Sequence, residues 1–346
     1  MTPSTPPPTR LTARCPEDLL AASAVVLGFW PSESVVMLTF DAAHPFHARV
    51  DLPPEAAAMP ALARTLVQPA AHHGVGRVVL MLHTAHPERA RLAWRALRSA
   101  FAQHDIVVVE ALRVGSDRWW PLLDDHGEDG VGVAFDAARL AVHPFLAQAV
   151  VDGRVLHRSR GDLAAALEPD PAAVARLAAL VAGAPTHPPS VSTELAEGTW
   201  THALVTRYLA AAAAPPSPVH PVHPAPPPTD AEVARLLCGM RSLRVRDAAW
   251  SAITRAAARP AVALFTDVLR RTPRELVPAP AALLAWAAWQ AGDGALAWCA
   301  LDRCEAVDPG YGLAALIAEA LERAVPPTVM AEGFDWRDGL DATETG

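Results

Sequence analysis

Residues 77–114 constrain the fold more than any other stretch. RVVLMLH (77–83) is a nearly unbroken apolar run, as expected of a central strand covered on both faces. PERARLAWRALRSAFAQH (87–104) is amphipathic: Leu92, Ala93, Ala96, Leu97, Ala100 and Phe101 mark a buried stripe, and Arg91, Arg95 and Arg98 a wet one. IVVVEALRV (106–114) is a second apolar run. A strand, helix and strand at this spacing predict a β-α-β unit with parallel strands and a right-handed crossover. Around it, Pro16-Glu17-Asp18 opens a helix through Ala24, with acids where the helix dipole favours them. SVVMLTF (34–40) and FHARVDL (46–52) form a hairpin across Asp41–Pro45, and a helix follows at about 58–71. RWWPLL (118–123) is an edge or terminal strand, and a helix over about 135–150 closes the unit. Residues 11–160 thus predict a three-layer α/β domain with a mixed sheet, preceded by a proline-rich disordered start over 1–10.

Beyond it, helices at about 170–183 and 193–213 are expected to pack on the α/β domain as an addition spanning 161–213. APPSPVHPVHPAPPP (214–228) cannot continue a helix or a central strand, so 214–229 reads as a semi-rigid linker and the main domain boundary. Residues 230–330 read as an all-α domain of helical hairpins. A weak repeat runs through it: Trp250 and Trp286 are 36 residues apart, as are Pro273 and Pro309. The second copy, with Gly292-Asp293 at its turn and Asp308-Pro309 at its end, looks like a tetratricopeptide unit. A closing helix is expected at 311–324, and residues 331–346 read as a frayed acidic tail. Trp250, Trp286, Trp289 and Trp298 fall at helical spacings and are expected in the core.

The chain contains no lysine and no asparagine, so its 29 basic charges are all arginine. That excludes a P-loop, a lysine Schiff base, a kinase-type ATP lysine and an N-glycosylation acceptor. The net charge of −8 gives no overall pull towards nucleic acid or anionic lipid. Cys15, Cys238, Cys299 and Cys304 match neither a disulfide framework nor metal spacing. Residues 19–29 mimic a signal-peptide core, but Pro31 and Glu33 follow at once and the pattern continues as a strand. No apolar run reaches the roughly 20 residues that span a bilayer. A cytoplasmic protein without a resident cofactor or membrane contact is the expectation.

Two places could carry function. His83, Thr84 and His86 lie at and past the end of a central strand, where open α/β sheets hold ligands. Ser32 and Ser34, beside Glu33 in the turn before the first strand, and Arg49 and Asp51, near the end of its hairpin partner, belong to the same end. There Arg49 would hold an anion or phosphate, the serines would donate, and His83 would serve as acid or base. The alternative is structural: the serines cap a turn and Arg49 pairs with Asp51 or Glu33. The second place is electrostatic. Residues 235–274 carry nine arginines against Asp247 and Asp267, net +7, while residues 275–346 carry twelve acids against three arginines, net −9. Arg241, Arg244, Arg246, Arg270 and Arg271 could dock an acidic protein partner; nucleic acid is the less favoured ligand, and self-neutralisation within the stack is the alternative. His72-His73, His83 with His86, and His220 with His223 lack a third ligand, so no metal site is assigned. Gly74-Val75-Gly76 and Gly130-Val131-Gly132 are too short for dinucleotide fingerprints, and no G-x-S-x-G is present.

Several motifs in order resemble the actinobacterial family known as domain of unknown function forty-one ninety-two. They are Asp18-Leu19-Leu20 running into Leu27–Pro31 and Ser34-Val35-Val36; Ala48–Pro53; Arg118-Trp119-Trp120; Ser159-Arg160 before Leu163; and Arg246-Asp247, then Gly292–Ala297 through Leu301-Asp302-Arg303 to Asp308-Pro309. The resemblance spans nearly the whole chain. It implies no activity, cofactor or catalytic residue, because the family has none assigned. Members often carry a cysteine-bearing segment after the tryptophan element; here that place reads Pro121–Asp129, without cysteine. With no sharp catalytic motif, the leading expectation is a non-enzymatic protein-interaction module. The alternative is a small-molecule binding protein or enzyme using the sheet end.

Overall fold

The computed structural model describes residues 12–44, 46–123, 130–184, 190–213, 227–330 and 334–338. The proline-rich start (1–10), residues 124–129 and most of the proline linker with His220 and His223 lie outside the described residues. The chain divides into two compact units, Met1–Asp162 and Leu163–Gly346.

The first unit is built on a six-stranded mixed sheet. Its elements run α1 (Pro16–Leu27), β1 (Ser34–Phe40), β2 (His47–Asp51), α2 (Met59–His72), β3 (Arg77–His83), α3 (Pro87–Ala102), β4 (Val107–Val114), β5 (Arg118–Pro121), β6 (Val133–Ala134), α4 (Ala137–Ala141) and α5 (Pro144–Val151). The strand order is β2-β1-β3-β4-β5-β6, with β3 and β4 parallel and every other pair antiparallel. The β-α-β unit therefore sits at the centre, and the hairpin extends it on one side. On the other side β5 is followed by the two-residue β6, so the tryptophan strand is penultimate and not the edge.

Side chains alternate across the sheet as the pleat requires. Val35, Met37, Leu80, Leu82 and Ala111 face α2 and α3, in a core with Leu62, Leu66, Trp94, Leu97 and Phe101. The buried stripe of α3 runs through Ala90, Ala93, Trp94, Leu97 and Phe101, whereas Leu92 is 39% exposed. The expected stripe placed Leu92 inside; the large indole of Trp94 turns the helix so that its own face meets the sheet. Val36, Leu38, Met81 and Leu112 are buried on the opposite face. There Trp119 Nε1 donates to Glu17 in the first turn of α1 (3.4 Å), and α1 packs on α5 through Ala24, Val25, Leu146 and Ala149. The helix expected over 135–150 is two helices, because Pro144 cannot donate and restarts the helix behind the His143 cap. Helix α6 (Arg160–Ala165) spans the junction of the units.

The second unit is helical: α7 (Pro171–Ala182), α8 (Val191–Ala213), α9 (Asp230–Gly239), α10 (Leu243–Ser251), α11 (Ala258–Arg271), α12 (Pro278–Gln290), α13 (Gly294–Glu305) and α14 (Gly312–Glu322). Helix α7 packs on α9 and α11, and α8 on α9, α10 and α11. The helices of 161–213 therefore build the second unit's own core, where the sequence assigned them to the α/β domain. Both flanks of the proline stretch belong to this unit, and the division falls at 162/163. Helix α12 is its centre, buried along its whole length and packed by α11, α13 and α14. Trp250, Trp286 and Trp289 stack edge-on at 5.1–5.2 Å, and Trp286 and Trp289 donate to the carbonyls of Ile253 and Val325. The acidic tail is not frayed throughout: Trp336 is 3% exposed, against Ala248 and Leu195.

Candidate functional site

The end of the sheet brings together residues distant in sequence. Gly28 closes α1 in the left-handed region, its N–H on Ala24 O (2.9 Å), and the chain turns through Pro31-Ser32-Glu33 into β1. Ser34 then pairs with Asp51 of β2 on one side and His83 of β3 on the other, so the three stand in one row across one face. Arg49 lies in the next row on that face, opposite Val36, with its guanidinium 5.9 Å from the Phe29 ring. Arg49 Nη2 bridges Asp51 Oδ1 (2.6 Å) and Ser32 O (3.4 Å). Ser34 Oγ, Arg49 Nε and His83 Nε2 are all buried and have no hydrogen-bond partner. Burial, and then the Arg49 charge, push the His83 pKa down to about 3. At that pKa the His83 ring is neutral at ordinary pH, which disfavours proton transfer there. The expected Arg49–Asp51 ion pair is present, but it leaves Nε without a partner.

Thr84 continues β3 on the other face. Its Oγ1 donates to the Glu33 carboxylate (3.0 and 3.1 Å) and accepts from His86 N (3.2 Å), and Arg89 Nη1, in the first turn of α3, reaches Glu33 Oε2 (2.6 Å). Glu33 has φ +38°, a left-handed conformation costing about 1 kcal/mol or more for a side-chain-bearing residue. Sequence reasoning missed Arg89 and the grip on Glu33. The one available signal was the position of Arg89 in the first helical turn after the His83-Thr84 strand end. It missed equally the Arg113 guanidinium stacked 3.4 Å over the Trp120 ring. A cleft of about 210 Å³ lies elsewhere, between α3 and the start of β4, lined by Trp94, Arg98, Ala102, Ile106, Val108 and Leu123. It contains one polar side chain and none of the expected site residues.

Two of the arginines expected to dock a partner are ion-paired within the helical unit. Arg246 is 7% exposed, bound to Asp247 Oδ1 (2.5 Å) and Tyr311 Oη (3.3 Å). Arg271 is bound by Asp267 and by Asp230 Oδ1 (3.1 Å). Arg270 donates to Glu168 O (3.3 Å) and Arg244 to Asp338 O (2.8 Å). Arg241 is exposed. Arg246 and Arg271 thus serve the unit's own packing, while Arg241, Arg244 and Arg270 are exposed, as are Arg255, Arg259 and Arg274 of the same segment.

The thiols of Cys15, Cys238 and Cys304 are all pushed above their ordinary pKa. At Cys15, on the N-cap of α1, a backbone hydrogen bond involving Asp18 lowers the pKa, but burial and the acidic Asp18 and Glu17 raise it on balance. Burial, with Asp308 and Glu305, pushes Cys304 up to about 12. The rings of His72 and His73 stand edge-on 5.0 Å apart. Among the described residues, no three His, Cys, Asp or Glu side chains are grouped to hold a metal ion. No helix among them is long and apolar enough to cross a membrane.

A family model described as Domain of unknown function (DUF4192) matches residues 16–328, and the chain belongs to that family. No curated protein and no solved structure matches it.

Proposed function

We propose that this member of the family binds a small anion, such as a phosphate or carboxylate compound, at the sheet end formed by Ser34, Arg49 and His83. One observation carries the reading: three buried polar atoms on three adjacent strands lack partners on the same face of the sheet. A buried polar group left unpaired costs about 1–3 kcal/mol, and a fold that gathers three of them is incomplete without something to bind them. The hydroxyl of Ser34, Nε of Arg49 and Nε2 of a neutral His83 can all donate, so the complement is an acceptor, and an acceptor with negative charge suits the guanidinium best. Asp51, whose side chain is 77% exposed, occupies Arg49 without excluding water and can yield to a better-buried anion. The low pKa of His83 favours binding over acid–base chemistry. The test follows the His83 ring nitrogens by NMR while phosphate, a sugar phosphate or a dicarboxylate is added. Saturable shifts at His83, absent in Arg49→Ala, support the site; an unresponsive ring contradicts it.

A second reading, a non-enzymatic cytosolic interaction module acting through a tetratricopeptide-like helical unit, is favoured by the outward Arg241 and Arg244 and by the hairpins α10–α13. It predicts that Arg241→Glu with Arg244→Glu abolishes capture of an acidic protein partner while leaving anion binding intact.

A further inference from the structure

The second unit contains a groove that the chain fills with its own tail. Trp336 lies against Leu195 of α8 and Ala248 of α10. Gly198, in the body of the 23-residue helix α8, faces the same indole, and a Cβ there would overlap its six-membered ring. Glycine inside a helix costs about 1 kcal/mol relative to alanine, so this position is kept open at a loss to the helix. Phe334 packs edge-on against Trp250 at 4.9 Å, and Arg244 Nη1 holds Asp338 O at 2.8 Å. Burial, and then the Arg337 charge, lower the pKa of His202, one turn beyond Gly198, so the tail passes along this face of α8. The groove thus reads an aromatic residue, a tryptophan two positions on, and the main chain beyond it.

The fit is incomplete. Trp336 Nε1 is buried without a hydrogen-bond partner, and so is Thr201 Oγ1, three residues along α8 from Gly198. Phe334 stays 44% exposed. We propose that the α8–α10 groove is a peptide-docking site for a partner segment of the type aromatic-x-Trp with acidic flanks, and that Phe334–Asp338 occupies it in cis as an exchangeable plug. The acidic flanks follow the tail's own Asp335 and Asp338, the latter held at its main chain by the exposed Arg244. This rests on the second functional reading and names its surface and the chemistry of its partner. It is independent of the sheet-end site, whose residues lie in the other unit.

The probe is a fluorescein-labelled synthetic peptide of residues 331–346, added to the full-length chain. A Phe334→Ala/Trp336→Ala double variant, its plug disabled, should bind the peptide saturably. Wild type should bind at least about tenfold more weakly, because the tethered tail competes at high effective concentration. Adding Gly198→Leu to the double variant should abolish binding, as should Trp336→Ala within the peptide. Absence of binding to a double variant with unchanged circular dichroism would overturn the proposal, as would binding that survives Gly198→Leu. If the double variant does not fold, wild type supplies the readout. Tryptic cleavage after Arg337 should be accelerated by excess unlabelled peptide carrying Arg337→Gln, and no acceleration would overturn the proposal. A wild-type dimer that dissociates on Trp336→Ala would assign the groove to a second copy's tail and would equally overturn it.

Discussion

Acid should weaken the α/β unit through His83 in a way that a single substitution removes. Its folded pKa is about 3, lowered from 6.5 by burial and the Arg49 charge. As pH falls below about 6.5 the unfolded chain binds a proton at this ring while the folded chain does not, so protonation draws the equilibrium towards unfolding. The contribution is fully present above pH 6.5 and is lost progressively down to about pH 3. At 1.36 kcal/mol per unit, the loss between about pH 7.5 and pH 5 is about 2 kcal/mol, with an upper bound of about 5 kcal/mol by pH 3. Urea unfolding of wild type and His83→Gln at both pH values isolates the term, since every other titrating group is shared and cancels in the difference. The difference in stability between the two proteins should change by about 2 kcal/mol between the two pH values. A constant difference, or an NMR titration placing the His83 ring near 6.5, would refute both the burial argument and the neutral donor assigned to the site.

Arg246→Ala should destabilise the helical unit by about 2–4 kcal/mol, because it strands the Asp247 carboxylate and the Tyr311 hydroxyl, whereas Arg241→Ala should change denaturation by less than about 0.5 kcal/mol. Gly132→Ala should cost more than about 2 kcal/mol and disturb tryptophan fluorescence, since Gly132 has φ +71° and a Cβ there overlaps the Trp120 indole. Thr229→Ala removes a capping box with Glu232 at the start of α9 and should lower the melting free energy by about 1 kcal/mol.

The β-α-β core was legible because β3 and the second half of β4 are buried on both faces and α3 on one, so local periodicity and global burial agree. The hairpin partner of β1 followed from the Asp41–Pro45 turn. Sheet order beyond β4 was not legible, since a two-residue strand such as β6 leaves no periodic trace. The placement of α7 and α8 failed for a related reason. Their apolar faces state that they must be covered, and nothing local says by what. At the site, the convergence of Ser34, Arg49, Asp51 and His83 followed from strand pairing and the expected strand ends. The grip of Thr84 and Arg89 on Glu33 did not, because it depends on a left-handed backbone at a residue that gives no sign of one. Composition misled at the tail: acidic neighbours concealed that Trp336 is a core residue, and Gly198, which makes room for it, sits 138 positions away.

The most direct test of the sheet-end assignment is a thermal-shift screen of the full-length protein against phosphate, sugar phosphates, nucleotides and dicarboxylates, with Arg49→Ala and Ser34→Ala alongside. A compound present at about 100 times its dissociation constant should add about 2.7 kcal/mol of stability to wild type. Wild type should show such a shift with an anionic compound, and Arg49→Ala should lose it. A flat panel on well-folded protein, or a shift of equal size in both variants, would contradict it.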